Sequence, residues 1–151
     1  MARIRITKQF SFEMAHSLFN YDGPCKNIHG HSYKLDVTVI GEPISDENNP
    51  NLGMVMDFKE LKYIVNKNII NKLDHALIIN KKSDHSRLIE TKKIITKNEI
   101  VNYQPTCEML LIDFSERIIK DLPSDVILHS IKLRETNNSY AEWFASDNNQ
   151  D

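Results

Sequence analysis

Residues 25–39 read CKNIHGHSYKLDVTV: one cysteine and two histidines within seven residues, then an alternating apolar run. Tyr33, Leu35, Val37 and Val39 take the odd positions, alternating mainly with Lys34, Asp36 and Thr38, until Gly41 and Pro43 close the segment. A period of two marks a strand with one buried face. The odd parity also carries His29 and His31 onto the inward row, where polar side chains without partners are costly.

A second strand lies upstream. Ile4, Ile6, Phe10, Phe12 and Met14 share even parity, while Arg3, Arg5, Thr7, Gln9, Ser11 and Glu13 take the odd positions. His16 continues the even, inward row. If the two strands pair antiparallel, the end of the first lies beside the start of the second, and His16, His29 and His31 converge. Three neutral imidazoles suit zinc and leave a fourth position for water or substrate. Cys25 is either a fourth ligand, closing a structural site of one cysteine and three histidines, or a separate thiolate acting as a base; spacing admits both.

Downstream, the Asn-, Pro- and Gly-rich stretch 48–53 reads as a loop. Asp57 and Glu60 have capping-box spacing, Met56 and Leu61 suit a hydrophobic staple, and Phe58, Leu61, Val65, Ile69 and Leu73 form the apolar stripe of a helix. Asp74 and His75, in LDHALI, end that helix. They are a carboxylate beside a proton-moving imidazole, or simply a histidine favoured by the helix dipole. Residues 80–98 are charged and weakly patterned, and they read as an insert without a defined element.

Pro105 and Thr106 open a second helix, with Leu111, Phe114, Ile118 and Leu122 on one face and Pro123 as its stop. Capping alone accounts for Thr106 and Glu108. Ile127, Ile131 and Leu133 mark a third strand, and YAEWF (140–144) a fourth. Glu135 shares the parity of Ile131 and Leu133, so its carboxylate faces inward, where it wants a cationic or multi-donor partner. The pattern is α+β, with helices on one face of a sheet. It is expected as one domain over residues 1–145 with a polar, frayed tail over 146–151.

Bulk composition agrees with a small-molecule role. The chain has 151 residues, 40% of them hydrophobic, which suits one core. Nineteen basic and twenty-one acidic side chains leave a net charge of -2, which argues against nucleic acid or anionic membranes as partners. No run approaches the about 18 apolar residues of a membrane span, and the first residues lack an apolar secretory core. The expectation is a cytoplasmic protein with Cys25 and Cys107 as free thiols.

The segments FSFEMAHSL, CKNIHGHSYKLDVTVIG, GMVMDFKELK, LDHALI, PTCE and LRET occur in the order, and with the approximate spacing, of the 6-pyruvoyl- and 6-carboxy-tetrahydropterin synthase family. The chain resembles that family over most of its length, and most closely its bacterial carboxy members of queuosine biosynthesis. The resemblance implies a tunnelling fold, in which four-stranded antiparallel sheets from several subunits, a tetramer or hexamer, close a barrel with active sites between subunits. It implies Zn2+ on His16, His29 and His31, proton transfer by Cys25, Asp74 and His75, and pterin recognition by Thr106, Glu108 and Glu135. The implied substrate is 7,8-dihydroneopterin triphosphate. The carboxy branch would yield 6-carboxy-tetrahydropterin, acetaldehyde and triphosphate, and the pyruvoyl branch 6-pyruvoyl-tetrahydropterin. The chain departs from common family usage at Ser17, Cys107 and Met109, at the rim of the implied pocket.

Overall fold

The alternation of residues 4–17 and 29–41 produces two long strands, β1 (Ile4–Ser17) and β2 (His29–Gly41), paired antiparallel with Phe10 opposite Leu35 and His16 opposite His29. The structure is a computed structural model and describes residues 2–92 and 95–148. From β2 the chain passes through α1 (Phe58–Val65), a π-helical stretch Asn66–Ile70 and a last turn α2 (Asn71–Leu73) into β3 (Ala76–Asn80). Then follow α3 (Asp84–Lys92), β4 (Asn98–Val101), α4 (Cys107–Ile119), β5 (Ile127–Arg134), β6 (Tyr140–Phe144) and α5 (Ala145–Asn148).

The sheet has six strands in the order β4-β3-β1-β2-β5-β6, where four were expected. The expected antiparallel set β1, β2, β5 and β6 is present, and β3 and β4 extend it by parallel pairing beyond β1. The two added strands are ALIIN (76–80) and NEIV (98–101), the second beginning where the segment that reads as a patternless insert ends. All five residues of β3 are buried, so no alternation betrays it. Parallel neighbours need a crossover, and α3 supplies it. It lays Ile89 on Leu77 and Ile79 on the opposite face of the sheet from the main core. The helices therefore do not all lie on one face.

On the core face, Phe12, Met14, Tyr33, Leu35, Val37, Leu133 and Ile131 pack against Leu61, Val65, Ile69, Leu110, Phe114 and Ile118. Asp57 caps α1 by accepting from Lys59 N at 2.7 Å, and Thr106 caps α4. The stripe Leu61, Val65, Ile69 and Leu73 repeats every four residues, and an α-helix of about 3.6 residues per turn would rotate each member about 40° from the last. The wider π-helical turn absorbs that drift, and all four side chains are fully buried. Phe58, on the stripe by its spacing, is 48% exposed at the helix start.

One register shift also overturns an expectation. Thr38 pairs with Ser130 but Val39 pairs with Leu128, so His129 is an extra residue in β5. The bulge switches parity, burying Leu128 and turning Ile127 to solvent. At the chain end, Ala145–Asn148 form a helical turn, so the first residues of the segment expected as a frayed tail are helical; residues 149–151 of that segment lie outside the described residues. No helix among the described residues is long and apolar enough to cross a membrane. Both cysteines are free.

Candidate active site

Antiparallel pairing of β1 and β2 brings three imidazoles together at one end of the sheet. His16 stands opposite His29, Met14 stands opposite His31, and one ligand atom from each histidine lies within 4.8 Å of the others. His16 is buried, whereas His29 and His31 are half-buried.

The outer hydrogen bonds of two rings locate one ring hydrogen each. His16 Nδ1 lies 2.7 Å from the Pro105 carbonyl oxygen and His29 Nδ1 lies 2.8 Å from the Asn27 carbonyl oxygen. A carbonyl only accepts, so each Nδ1 carries the hydrogen. In neutral rings both Nε2 atoms are then bare lone pairs, and they face each other at 3.1 Å. Burial pushes the His16 imidazolium pKa down, which favours the neutral ring. The Glu135 Oε1 atom, a further acceptor, lies 3.4 Å from His16 Nε2 and 3.7 Å from His31 Nε2. Acceptors so grouped repel unless a cation is shared between them. The donor set fits a metal ion: neutral imidazole nitrogens, two of them aimed by carbonyls that hold the far side of the ring.

Around these rings lies a cavity of about 460 Å³ whose lining includes Cys25, Thr106, Cys107, Glu108 and Glu135. Cys25 sits in the short 3-10 turn Pro24–Lys26, half-exposed, and is not among the mutually close ligand atoms. The Thr106 hydroxyl is occupied as the N-cap acceptor for Met109 N. Glu135 follows β5 and faces inward, as its parity required, and accepts a hydrogen bond from Tyr33 Oη at 3.1 Å. Burial and the Glu135 charge push the Tyr33 phenol pKa upward, so the hydroxyl remains a donor.

Asp74 and His75 are elsewhere. They follow the α2 turn, and His75 lines a second cavity of about 470 Å³ with Glu13, Gly30, Ser32 and His31, the last of which lines both cavities. His75 is in the left-handed region, φ 60°, which is uncommon for a non-glycine residue. Two bonds to one residue hold it there: His75 N donates to Glu13 O at 2.6 Å, and Glu13 N donates to Asp74 Oδ1 at 2.9 Å. The second bond holds the Asp74 carboxyl below its ordinary pKa. His75 Nδ1 lies 3.0 Å from Asp74 Oδ1, and its side chain is 75% exposed. The pair is thus built and oriented, but neither residue is among those lining the cavity around the three histidines.

Several residues of the site leave little signal in the sequence. Tyr33 reads as core because it continues the inward row of β2, and only its position two residues after His31 hints at more. Cys107 donates to Leu133 O at 3.3 Å, and burial pushes its thiol pKa up to about 11. The carbonyls of Asn27 and Pro105 leave no trace in residue type.

A family model described as 6-pyruvoyl tetrahydropterin synthase matches residues 5–146. The chain belongs to this family. It is an enzyme, a lyase of the pterin synthase type. It is 36% identical to the 6-carboxy-5,6,7,8-tetrahydropterin synthase of Haemophilus influenzae, covering 92% of this chain and 97% of the relative. It is 33% identical to a putative synthase of the same name from Pyrococcus horikoshii, covering 93% and 88%. Among solved structures, the 6-pyruvoyl tetrahydropterin synthase of Caenorhabditis elegans superposes with a TM-score of 0.67 at 23% identity, covering 96% of this chain and 97% of that one. An uncharacterized Wolinella succinogenes protein superposes with a TM-score of 0.74 at 20% identity, covering 96% and 99%. These two likenesses speak for the fold.

Proposed function

We propose that the protein is a zinc-dependent 6-carboxy-5,6,7,8-tetrahydropterin synthase of queuosine and deazapurine biosynthesis. It would convert 7,8-dihydroneopterin triphosphate and water to 6-carboxy-tetrahydropterin, acetaldehyde and triphosphate. The observation that carries the proposal is the 3.1 Å approach of two Nε2 lone pairs beside His31 and Glu135, an arrangement suited to a shared cation. The carboxy branch is supported by the names of the Haemophilus and Pyrococcus relatives. The pyruvoyl branch is the second reading, supported by the description of the matching family model. The closed site with a cysteine as fourth ligand fits less well, since Cys25 stands outside the ligand cluster.

His16, His29 and His31 are the proposed zinc ligands. Zinc supplies Lewis acidity toward the side-chain oxygens of the substrate and acidifies the neighbouring bonds. Glu135, with one oxygen held by Tyr33, accepts paired hydrogen bonds from the guanidine-like pterin edge. Thr106 and Glu108 border that edge. Cys25 as thiolate removes a proton from the substrate side chain, and His75, oriented by Asp74, carries the second proton transfer. His75 lines a different cavity from Cys25, which supports a site in which a neighbouring subunit supplies His75. The active form is accordingly a cytoplasmic homo-oligomer, a hexamer or tetramer. Triphosphate release from dihydroneopterin triphosphate tests the proposal: chelation should abolish it and added zinc should restore it. Full activity in protein shown by elemental analysis to be metal-free would refute zinc dependence.

A further inference from the structure

The loop between β1 and β2 carries Cys25, and its own sequence does little to hold it. Residues 18–28 contain no buried apolar anchor and Asn20 is in the left-handed region; Lys26 N to Gly23 O at 3.2 Å and Asn27 N to Pro24 O at 3.1 Å shape the turn around Cys25, and Leu18 N to Cys25 O at 2.9 Å ties that turn to the start of the loop. The fixed point comes from far along the chain. Gln104, eighty-five residues away, accepts from Phe19 N through Oε1 at 3.0 Å and donates through Nε2 to Phe19 O at 2.6 Å. A primary amide is the side chain that can satisfy both main-chain groups of one residue at once, as a neighbouring strand would.

The same short segment also holds the histidines. Pro105 O takes the hydrogen of His16 Nδ1, and Thr106 N donates to Gln104 O at 2.8 Å before capping α4. Residues 104–106 therefore tie the start of the cysteine loop to the ring whose lone pair faces His29. We infer that Gln104 is a positioning residue: through the Phe19 main chain and the Leu18–Cys25 bond it sets where the Cys25 thiol stands relative to the three histidines. The inference rests on the reading of Cys25 as the proton-transfer thiol.

The geometry separates this role from ligand binding. Gln104 is not among the residues lining the histidine cavity, and its side chain is engaged entirely with main chain. Removing the amide should leave Glu135 and the metal ligands in place and misplace the thiol. A misplacement of about 1 Å costs up to about 100-fold in rate.

The test uses the zinc-loaded full-length chain and Gln104→Met, which keeps the length and removes both hydrogen bonds. The expected result is normal zinc content, KM within about twofold, and kcat lowered about 10- to 100-fold. In the Cys25→Ala background the same substitution should lower kcat no further, because residues acting as a unit are not additive. Independently of turnover, the rate at which iodoacetamide alkylates Cys25, read by mass spectrometry with Cys107 as internal reference, should change severalfold in Gln104→Met. Gln104→Glu keeps an acceptor for Phe19 N and replaces the donor to Phe19 O. It should fall between the two proteins in both readouts, and it serves if the methionine variant does not fold. Unchanged kcat and unchanged alkylation would overturn the inference, as would an equal further loss in the Cys25→Ala background or loss of zinc. If Cys25→Ala alone retains full kcat, the thiol reading fails and the inference falls with it. If Cys25→Ala is inactive while the Gln104 variants behave as the parent, the inference alone fails.

Discussion

Glu135 is the residue where position and chemistry meet most directly. Its inward direction follows from strand parity, and its neighbours are a phenol donor and two imidazoles, none of them a fixed cation. A carboxylate left so, 25% exposed at a cavity wall, keeps acceptor capacity for a ligand. Glu135→Gln keeps the shape and halves that capacity. Since a charge-assisted bond contributes about 1.5 to 3 kcal/mol, affinity for a pterin probe should fall about 10- to 150-fold, with zinc content and Tm near those of the parent. Unchanged affinity with a lowered Tm would make Glu135 a structural residue. Parity also makes His16, His29, His31 and Glu135 legible in the sequence. Tyr33 is not, because a tyrosine on an inward row satisfies a core as well as a site. The Asn27 and Pro105 carbonyls are illegible in principle, since every residue has one.

Among the elements, the junction from α2 to β3 is the most constrained. Asp74 ends the helix, His75 reverses the backbone through a left-handed conformation, and both are pinned to Glu13 on β1. The Glu13 N–H, chief among several contacts, lowers the Asp74 pKa in the folded state. A depressed carboxylate pKa means stability that is present above the unfolded value, about 3.9, and lost as pH falls through the folded one. The parent should therefore lose Tm on acidification below about pH 4 more steeply than Asp74→Asn does. The difference should be no more than about a degree or two, because the carboxylate is nearly exposed. Identical slopes in a pH series of melting curves would contradict the assignment. Helices α1 and α4 and the long strands are legible because each has one buried face and hence a period. β3 is illegible as a strand because both its faces are covered. α3 covers only a small patch, Leu77 and Ile79, so it imposes no pattern on 80–98, and β4, which follows, is only four residues long.

For the whole molecule, the separation of the two proposed proton-transfer groups, Cys25 and His75, has a consequence that a mixture of chains can test. Cys25 and His75 line different cavities. If sites form between subunits, Cys25→Ala and His75→Ala chains, each inactive alone, should recover activity when unfolded together and reassembled. Some sites would then draw an intact cysteine from one chain and an intact histidine from the other. Absence of recovery in a mixture shown by native mass spectrometry to contain both chains would place each site within one subunit. The claim about the reaction itself is tested most directly by the products. Zinc-loaded protein incubated with 7,8-dihydroneopterin triphosphate should release acetaldehyde and triphosphate in equal amounts with 6-carboxy-tetrahydropterin, identified by mass spectrometry. Triphosphate with 6-pyruvoyl-tetrahydropterin and no acetaldehyde, or no turnover at all, would contradict it.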